Sequence, residues 1–240
     1  MPQKAGFPQE KLNEIHGAWF DPSNPVVQFD ESLRGDLFQE MLVAEKRADL
    51  CLCLGTSLSG MNADRCANTP AKRSLRRPDQ VLGTVIINIQ RTPLDERSAV
   101  RVWSTLDRAF ELLAEKLDMT HDEIVQRVTP PEWELDVFEL PYTASGAKSH
   151  TGDEHTTLDL RIGSMVRIAE SQAMNAGAVG VVRGKRDGHW SIELTEKRKG
   201  RIMVVRRLLG WWWVEAAMRG VIPHLPVVNY TPDSQEADDA

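Results

Sequence analysis

Short apolar runs alternate with segments of helical spacing between residues 32 and 117, and this alternation restricts the fold more than any other feature. Residues 49–54 and 81–89 are strand-sized and rich in apolar or β-branched side chains. Residues 32–48 and 106–117 repeat apolar side chains at every third or fourth position, as amphipathic helices do. Buried strands that alternate with helices are typical of an α/β fold with a parallel sheet, which we therefore predict.

Charge divides the chain into three parts. Residues 1–157 carry 17 Lys or Arg and 25 Asp or Glu, residues 158–220 carry 12 and 6, and residues 221–240 carry none and 4. A small, polar stretch near residue 150 has the composition of a linker. We predict a first domain at 1–142, a linker at 143–157, a small basic β module at 158–225 and an acidic tail at 226–240.

The basic part of the chain contains several short strand candidates punctuated by glycines. Their spacing of about ten residues favours a small β-barrel of SH3-like size. Asp187-Gly188 stands between two of them and is a typical hairpin turn. Tryptophans interleave with basic side chains here, which leaves two interpretations open. Residues 183–207 bind nucleic acid or an acidic partner, or the tryptophans fill a core behind a solvated basic face.

The sequence indicates no membrane partner. No stretch approaches the roughly 20 apolar residues of a membrane span, and the first residues lack the apolar core of a secretory signal.

Of the three cysteines, Cys51 and Cys53 alternate inside an apolar run. We expect buried, reduced thiols in an intracellular protein. The histidines lack partners at metal-ligand spacing, so no sequence-local metal site is expected.

Polar side chains stand at the ends of both strand candidates of the first part. Gly55, Thr56 and Ser57 follow the first strand, where a glycine lets backbone approach a ligand and hydroxyls can bond phosphate or ribose. Asn88 and Gln90 end the second strand and share one face, because alternate residues of a strand point the same way. Each pattern alone is also typical of an ordinary turn or strand end.

His16 is the best candidate for a general base, because histidine titrates near neutrality. It precedes Gly17 in a predicted loop after a short helix. A lone histidine is more often structural than catalytic, so its own residue type leaves both roles open.

Four ordered segments resemble motifs of the sirtuin family. Residues 5–17, AGFPQEKLNEIHG, resemble the stretch with the family's HG pair, in the form of the class IV branch. Residues 48–58, ADLCLCLGTSL, and 85–95, VIINIQRTPLD, are similar to its ADL…LGTSL and VIVNLQ motifs. Residues 29–33, FDESL, are similar to the branch's substrate-side segment, with Phe for Trp. Residues 100–117 match its closing helix.

The resemblance implies a Rossmann-like NAD site and NAD-dependent removal of acyl groups from protein lysines. It makes His16 the general base and NAD the cofactor. The implied cofactor contacts are Gly55, Thr56, Ser57, Asn88, Gln90 and Leu106. The acyl-lysine peptide would pair beside Val27, Gln28, Phe29, Asp30 and Glu31.

The sequence departs from the family in two places. The family's first nucleotide-binding unit, with its GAG-x-S loop, precedes the HG motif, and only 15 residues precede His16 here. The family's four zinc cysteines lie between the HG motif and the FDESL-like segment, where residues 18–28 contain no Cys, so zinc is not expected. We therefore predict an incomplete Rossmann-like parallel sheet of sirtuin type, with an uncovered apolar edge, followed by the small SH3-like β-barrel.

Two functions remain open at this point. One is a truncated or degenerate sirtuin-type deacylase that is inactive or weak as this chain. The other is a noncatalytic adaptor that uses the basic, Trp-rich module. An acyl-lysine protein is the expected substrate, and the resemblance to class IV members is compatible with a nuclear location.

Overall fold

A computed structural model describes residues 2–28, 31–119, 129–149, 154–169, 172–198 and 200–232. The chain divides into two compact units. Residues 36–126 form one, and residues 1–35 together with 127–240 form the other. We call them the parallel-sheet unit and the antiparallel-sheet unit. The boundaries inferred from charge stay predictions.

The parallel-sheet unit is an α/β arrangement. Its three strands lie in the order β1-β2-β3, and both pairings are parallel, with Leu50 opposite Gly83 and Val85 opposite Val100. The predicted α/β class with a parallel sheet is confirmed. The elements are α1 (Gly35–Arg47), β1 (Leu50–Leu54), α2 (Arg65–Arg76), β2 (Gly83–Ile87), β3 (Val100–Val102) and α3 (Leu106–Lys116).

One face of this sheet packs against helix α2. Cys53 and Ile86 lie in a buried cluster with Ala67 and Ala71, the small residues of the helix. The other side chains of β1 point to the opposite face, where Leu52 is 53% exposed. Within the described residues β1 is an edge strand, so an apolar strand lies at the edge of this sheet.

Two elements of this unit differ from the sequence prediction. Helix α2 contains Pro70 and buries small residues, so it lacks the large apolar stripe that marks an amphipathic helix. Val100–Val102, assigned from the sequence to the closing helix, form strand β3 instead. The β-branched valines pair with β2, and the helix begins only at Leu106.

The antiparallel-sheet unit contains a two-stranded and a five-stranded sheet. Strand β4 pairs with β5, and the larger sheet has the order β10-β6-β7-β8-β9. Helix α4 follows β9 and contains three consecutive tryptophans. The elements are β4 (Val137–Leu140), β5 (Thr156–Asp159), β6 (Met165–Ile168), β7 (Val179–Arg186), β8 (His189–Arg198), β9 (Arg201–Leu209), α4 (Trp211–Met218) and β10 (Val227–Asn229).

The predicted SH3-like barrel is not confirmed. Within the described residues the five-stranded sheet ends at β10 and β9, and no pairing joins these two strands. Strand β7 pairs with β8 only as far as Leu194, whereas the β8–β9 hairpin continues to Arg201. The end of the hairpin therefore extends past the sheet instead of closing it, and Ile202 and Val204 on β9 are exposed.

Five of the six tryptophans of this unit belong to its core, whereas Trp19 is 79% exposed. Trp190, Trp211 and Trp212 are buried, and Trp133 stacks on Trp190 with ring centroids 5.5 Å apart. This agrees with the interpretation in which tryptophans fill the core behind a basic face. Large aromatic surfaces removed from water give this unit much of its hydrophobic stabilisation.

The beginning of the chain packs against this core. The Phe20 ring lies 4.4 Å from the His189 ring and 5.1 Å from that of Trp212. Gly210 N donates to Phe20 O at 2.9 Å, and Asn175 Nδ2 donates to Pro22 O at 3.1 Å. These contacts explain why residues 1–35 form one compact unit with a segment more than a hundred positions away.

The predicted linker and tail are partly described. Residues 143–149 fold into a turn in which Thr143 N donates to Ala147 O at 2.9 Å and Lys148 N to Pro223 O at 3.1 Å. Residues 150–153 of the linker and 233–240 of the tail lie outside the described residues. Among the helices that the structure describes, none has the length and apolar character of a membrane span.

Candidate functional site

A cleft of about 420 Å³ opens at the carboxyl ends of β1 and β2. Parallel strands end at the same edge of a sheet, which is where α/β proteins bind ligands. Four of the six predicted cofactor contacts meet here, namely Gly55, Asn88, Gln90 and Leu106. The full lining is Gly55, Ile87, Asn88, Ile89, Gln90, Ser104, Thr105 and Leu106.

Gly55 forms one wall of the cleft and makes the turn out of β1. Its φ of +60° lies in the left-handed region that favours glycine. Its N–H donates to Ile87 O at 3.0 Å, and a Cβ at this position would lie 3.5 Å from Leu106 Cδ1. Thr56 and Ser57 follow Gly55 but are not lining residues. Their hydroxyls accept bonds from Leu58 N and the Ser59 hydroxyl, respectively.

The two predicted amides have different surroundings. Asn88 is buried, and its Nδ2 donates to Thr56 O at 2.6 Å while its Oδ1 accepts from Gln90 N at 3.4 Å. It therefore joins the two loops that follow β1 and β2. Gln90 is exposed and lines the cleft.

Arg101 on β3 holds the backbone of two residues that line the cleft, and the sequence analysis missed this arginine. Its guanidinium donates to the carbonyls of Asn88 at 3.0 Å, Val102 at 2.6 Å and Gln90 at 2.6 Å. Its Nε donates to Asp95 Oδ1 at 2.8 Å. In the sequence, a Val-Arg-Val strand with an acidic residue six positions earlier is only weak evidence for an arginine of this kind, and the structure was needed to find it.

Asp95 holds Arg101 in place from the loop after β2. Burial alone raises the pKa of this carboxyl, but hydrogen bonds from Thr92 and Arg101 outweigh burial and lower the pKa below its usual value. The Thr92 hydroxyl donates at 2.6 Å. Asp95 is therefore ionised at neutral pH and pairs with a permanently charged guanidinium.

The start of helix α3 also lines the cleft. Thr105 is the N-cap of the helix, and its Oγ1 accepts from Arg108 N at 3.4 Å. The prediction named Leu106 here and missed Ser104 and Thr105, although a Ser-Thr pair before a helical pattern is a typical start signal.

His16 lies in a turn after the 3₁₀ helix Gln9–Lys11, as the predicted loop position requires. Its carbonyl accepts from Val27 N at 3.2 Å. Gly17 has φ +92°, and a Cβ there would lie 2.4 Å from Pro25 O, so only glycine fits. The His16 Nε2 atom is buried and has no hydrogen-bond partner among the described residues.

The predicted peptide segment is therefore adjacent to His16 through Val27. Further along it, Gln28 N donates to Glu31 Oε2 at 2.9 Å, and Glu31 N donates to Gln28 O at 3.0 Å. Phe29 and Asp30, the other predicted substrate contacts, lie outside the described residues.

A buried carboxyl lies in the same loop. Burial raises the pKa of Asp21 to about 6, although hydrogen bonds from Ser23 and the charge of Arg34 oppose the rise. The Ser23 hydroxyl donates to Asp21 Oδ1 at 2.7 Å and its N–H at 2.9 Å. These contacts fix the loop between the HG pair and the peptide segment.

Comparison with known proteins tests the resemblance of these motifs to the sirtuin family. No family model matches the chain. NAD-dependent protein deacetylase SRT1 of Arabidopsis thaliana is 34% identical over 178 residues, an alignment that covers 59% of this chain. The resemblance to the sirtuin family is confirmed. The chain spans 34% of the length of that sirtuin relative, so the activity of the whole relative is a proposal for this chain.

Solved sirtuin structures are also similar to part of the chain. A structure of Sir2Tm bound to a propionylated peptide is 22% identical, with a TM-score of 0.35, and covers 40% of this chain and 38% of that one. A complex of Sir2 with a p53 peptide and NAD+ has the same identity, TM-score and coverage.

The sirtuin-type site residues fall into two sets. His16 and the described peptide contacts belong to the antiparallel-sheet unit, whereas Gly55, Thr56, Ser57, Asn88, Gln90 and Leu106 belong to the parallel-sheet unit. Among the described residues, no group of three or more His, Cys, Asp or Glu could hold a metal ion. The expectation that this sirtuin-like chain lacks the family's zinc stays a prediction.

Proposed function

We propose that this chain binds NAD in the cleft at the carboxyl ends of β1 and β2 and is a sirtuin-type protein-lysine deacylase with weak or no turnover by itself. Under this proposal the three-stranded sheet is the Rossmann-like part of the fold. One observation carries it: four residues predicted from three separate sirtuin-like segments line a single cleft.

The residues of the cleft fit the adenosine and ribose part of NAD. The volume of about 420 Å³ lies in the range of small-molecule sites. Gly55 leaves open the space that a Cβ would fill, so a ligand can approach the backbone there. Gln90 would offer an amide, and Ser104 and Thr105 would offer hydroxyls and backbone groups. When bound, NAD would supply the ADP-ribose that accepts the acyl group.

His16 is the proposed general base, and the peptide would lie beside Val27 to Glu31. A base must come within hydrogen-bond distance of the proton that it takes. The Nε2 atom of His16 is buried and has no hydrogen-bond partner among the described residues. It can therefore act as a base only if the surrounding loop opens enough to admit a ligand. This burial supports the part of the proposal that turnover by this chain is weak.

A turnover assay tests the enzymatic part of the proposal. Purified chain is incubated with NAD and an acetyl-lysine peptide, beside His16→Ala, and nicotinamide release is measured. We expect slow release or none from the wild-type chain, and any release should require the peptide and His16. Rapid release, or release that His16→Ala leaves unchanged, would contradict the assigned role. Circular dichroism of both proteins controls for folding.

The adaptor function remains the second candidate, and the β8–β9 hairpin favours it. Ile202, Met203 and Val204 are exposed on an edge strand that also carries Arg201 and Arg206. An exposed apolar strand among cations suits an acidic partner inside the cell, the nucleus included. Five of the six tryptophans of the antiparallel-sheet unit pack in its core, which leaves only Trp19 among them with a largely exposed ring for stacking on bases. Charge reversal at Lys197 and Arg201 should then abolish partner binding while NAD affinity stays unchanged.

A further inference from the structure

Two thiols lie on β1, immediately before the cleft. Cys51 and Cys53 alternate along the strand and therefore share one face, the face that packs against α2. Their sulfur atoms are 3.8 Å apart. Both cysteines are free, as is Cys66 on α2.

The two thiols differ in accessibility and in acidity. Cys53 is buried, whereas Cys51 is only partly buried. The hydrogen bond between the two thiols lowers the pKa of Cys51 below that of an ordinary thiol. The same hydrogen bond, together with burial, raises the pKa of Cys53. A partly exposed thiol of lowered pKa beside a second cysteine is the arrangement of a reactive cysteine and its resolving partner.

We propose that Cys51 and Cys53 form a reversible oxidation site that hydrogen peroxide converts into a disulfide within the strand. The Cys51 thiolate attacks one peroxide oxygen, the O–O bond breaks, and a Cys51 sulfenic acid and hydroxide form. The Cys53 sulfur then attacks the Cys51 sulfur, the S–O bond breaks, and a second hydroxide leaves. The two thiol protons convert both hydroxides into water, so two thiols are oxidised and one peroxide is reduced.

The position of the pair makes the modification consequential for the site. A disulfide requires its sulfurs about 2.05 Å apart, so β1 must contract locally from the observed 3.8 Å. Within the described residues β1 pairs with β2 on one side only, so no second neighbouring strand opposes the contraction. Gly55, the wall of the cleft, follows Cys53 by two residues. Because a strained disulfide is easily reduced, the change would be reversible.

The effect on ligand affinity rests on the proposed NAD site, whereas the oxidation itself does not. Contraction of β1 would move Gly55 away from Ile87 O, which accepts the Gly55 N–H, and would thereby change the shape of the cleft. We infer that the oxidised chain binds NAD more weakly than the reduced chain, by about tenfold if one hydrogen bond of roughly 1.4 kcal/mol is lost.

Thiol mapping tests the oxidation site directly. The reduced full-length chain is treated with hydrogen peroxide, the remaining thiols are alkylated, and peptides are weighed by mass spectrometry. We expect the peptide with Cys51 and Cys53 to lose two hydrogens while Cys66 is alkylated. Cys66→Ser is the matched control and should oxidise like the wild type. Cys53→Ser should instead leave Cys51 as a sulfenic acid that dimedone traps.

Three results would overturn the proposal: a disulfide that contains Cys66, protection that Cys66→Ser abolishes, or Cys51 and Cys53 both still alkylated after peroxide. Calorimetric titration with NAD before oxidation, after oxidation and after re-reduction with dithiothreitol tests the coupling. Equal affinities would refute the effect on the cleft. A reduced chain that binds no NAD would refute the proposed function, while the disulfide mapping would still decide the oxidation site.

Discussion

Arg101 shows how a single side chain organises the candidate site. The loop after β2 has left the sheet, so the carbonyls of Asn88 and Gln90 need hydrogen-bond donors from elsewhere. One planar guanidinium serves both, and Asp95 fixes its orientation. The exposed amide of Gln90 is therefore held at the cleft through its own backbone.

Replacement of Arg101 by lysine should loosen this loop specifically. Lysine keeps the charge opposite Asp95 but cannot reach three carbonyls at once. We expect amide hydrogens of residues 89–92 to exchange about tenfold faster, which corresponds to roughly 1.4 kcal/mol of local stability. Hydrogen exchange with mass spectrometry measures this.

Arg73 provides a matched control, because its guanidinium donates to the carbonyls of Lys46 at 3.2 Å and Ala48 at 3.0 Å, before β1 begins. Arg73→Lys should cost similar global stability and leave exchange at 89–92 unchanged. Equal exchange in both variants would show that Arg101 has no special role at the cleft.

The residues of the cleft were predictable only in part. Gly55, Asn88 and Gln90 follow from polar side chains at strand ends and from the sirtuin motifs. Arg101 acts through backbone carbonyls, which are the same for every residue type, so no spacing pattern marks it. The sequence likewise could not reveal that the Asn88 amide donates a hydrogen bond within the protein, because the acceptor is the carbonyl of Thr56, thirty-two residues earlier.

Two hairpin turns of the larger sheet rest on glycines with different surroundings. Asp187 and Gly188 both have positive φ, 51° and 78°, as a two-residue turn between β7 and β8 requires. A Cβ on Gly188 would lie 2.4 Å from Pro130 Cβ and 3.0 Å from Trp211 Cδ1. Gly200, between β8 and β9, has φ +76° and no atom within 4 Å of such a Cβ.

The same substitution should therefore have unequal costs in the two turns. Gly200→Ala brings only backbone strain, about 1 kcal/mol. Gly188→Ala adds overpacking against the aromatic core, for a total of about 3 kcal/mol. Urea denaturation followed by tryptophan fluorescence measures both, and equal losses would mean that the turn is not packed against the core.

At the level of elements, local pattern was sufficient where an element is long and apolar. Strands β1, β2 and β6 to β9, the helices α1 and α3, and the Asp187-Gly188 turn follow from spacing and turn residues. Helix α2 did not, because Pro70 and small buried residues hide it. The closed barrel is not confirmed, because closure depends on a pairing between β10 and β9 that the described residues do not form, and local sequence carries no information about that pairing.

For the whole molecule, one of the two compact units is discontinuous along the chain. The Phe20 ring and the tryptophan core join residues 1–35 to the last part of the chain, and the boundaries inferred from charge stay predictions. A short loop with one aromatic anchor gives no sequence signal about its distant partner. The motifs for the base and for the cofactor consequently belong to different compact units.

Calorimetric titration of the reduced chain with NAD, beside Gly55→Ala and Gly60→Ala, tests the central claim most directly. Both glycines have positive φ, but only Gly55 lines the cleft. We predict that the wild type and Gly60→Ala bind NAD with similar affinity and that Gly55→Ala binds about tenfold more weakly, because its Cβ enters the cleft. No binding by a folded wild-type chain, or equal binding by all three proteins, would contradict the account.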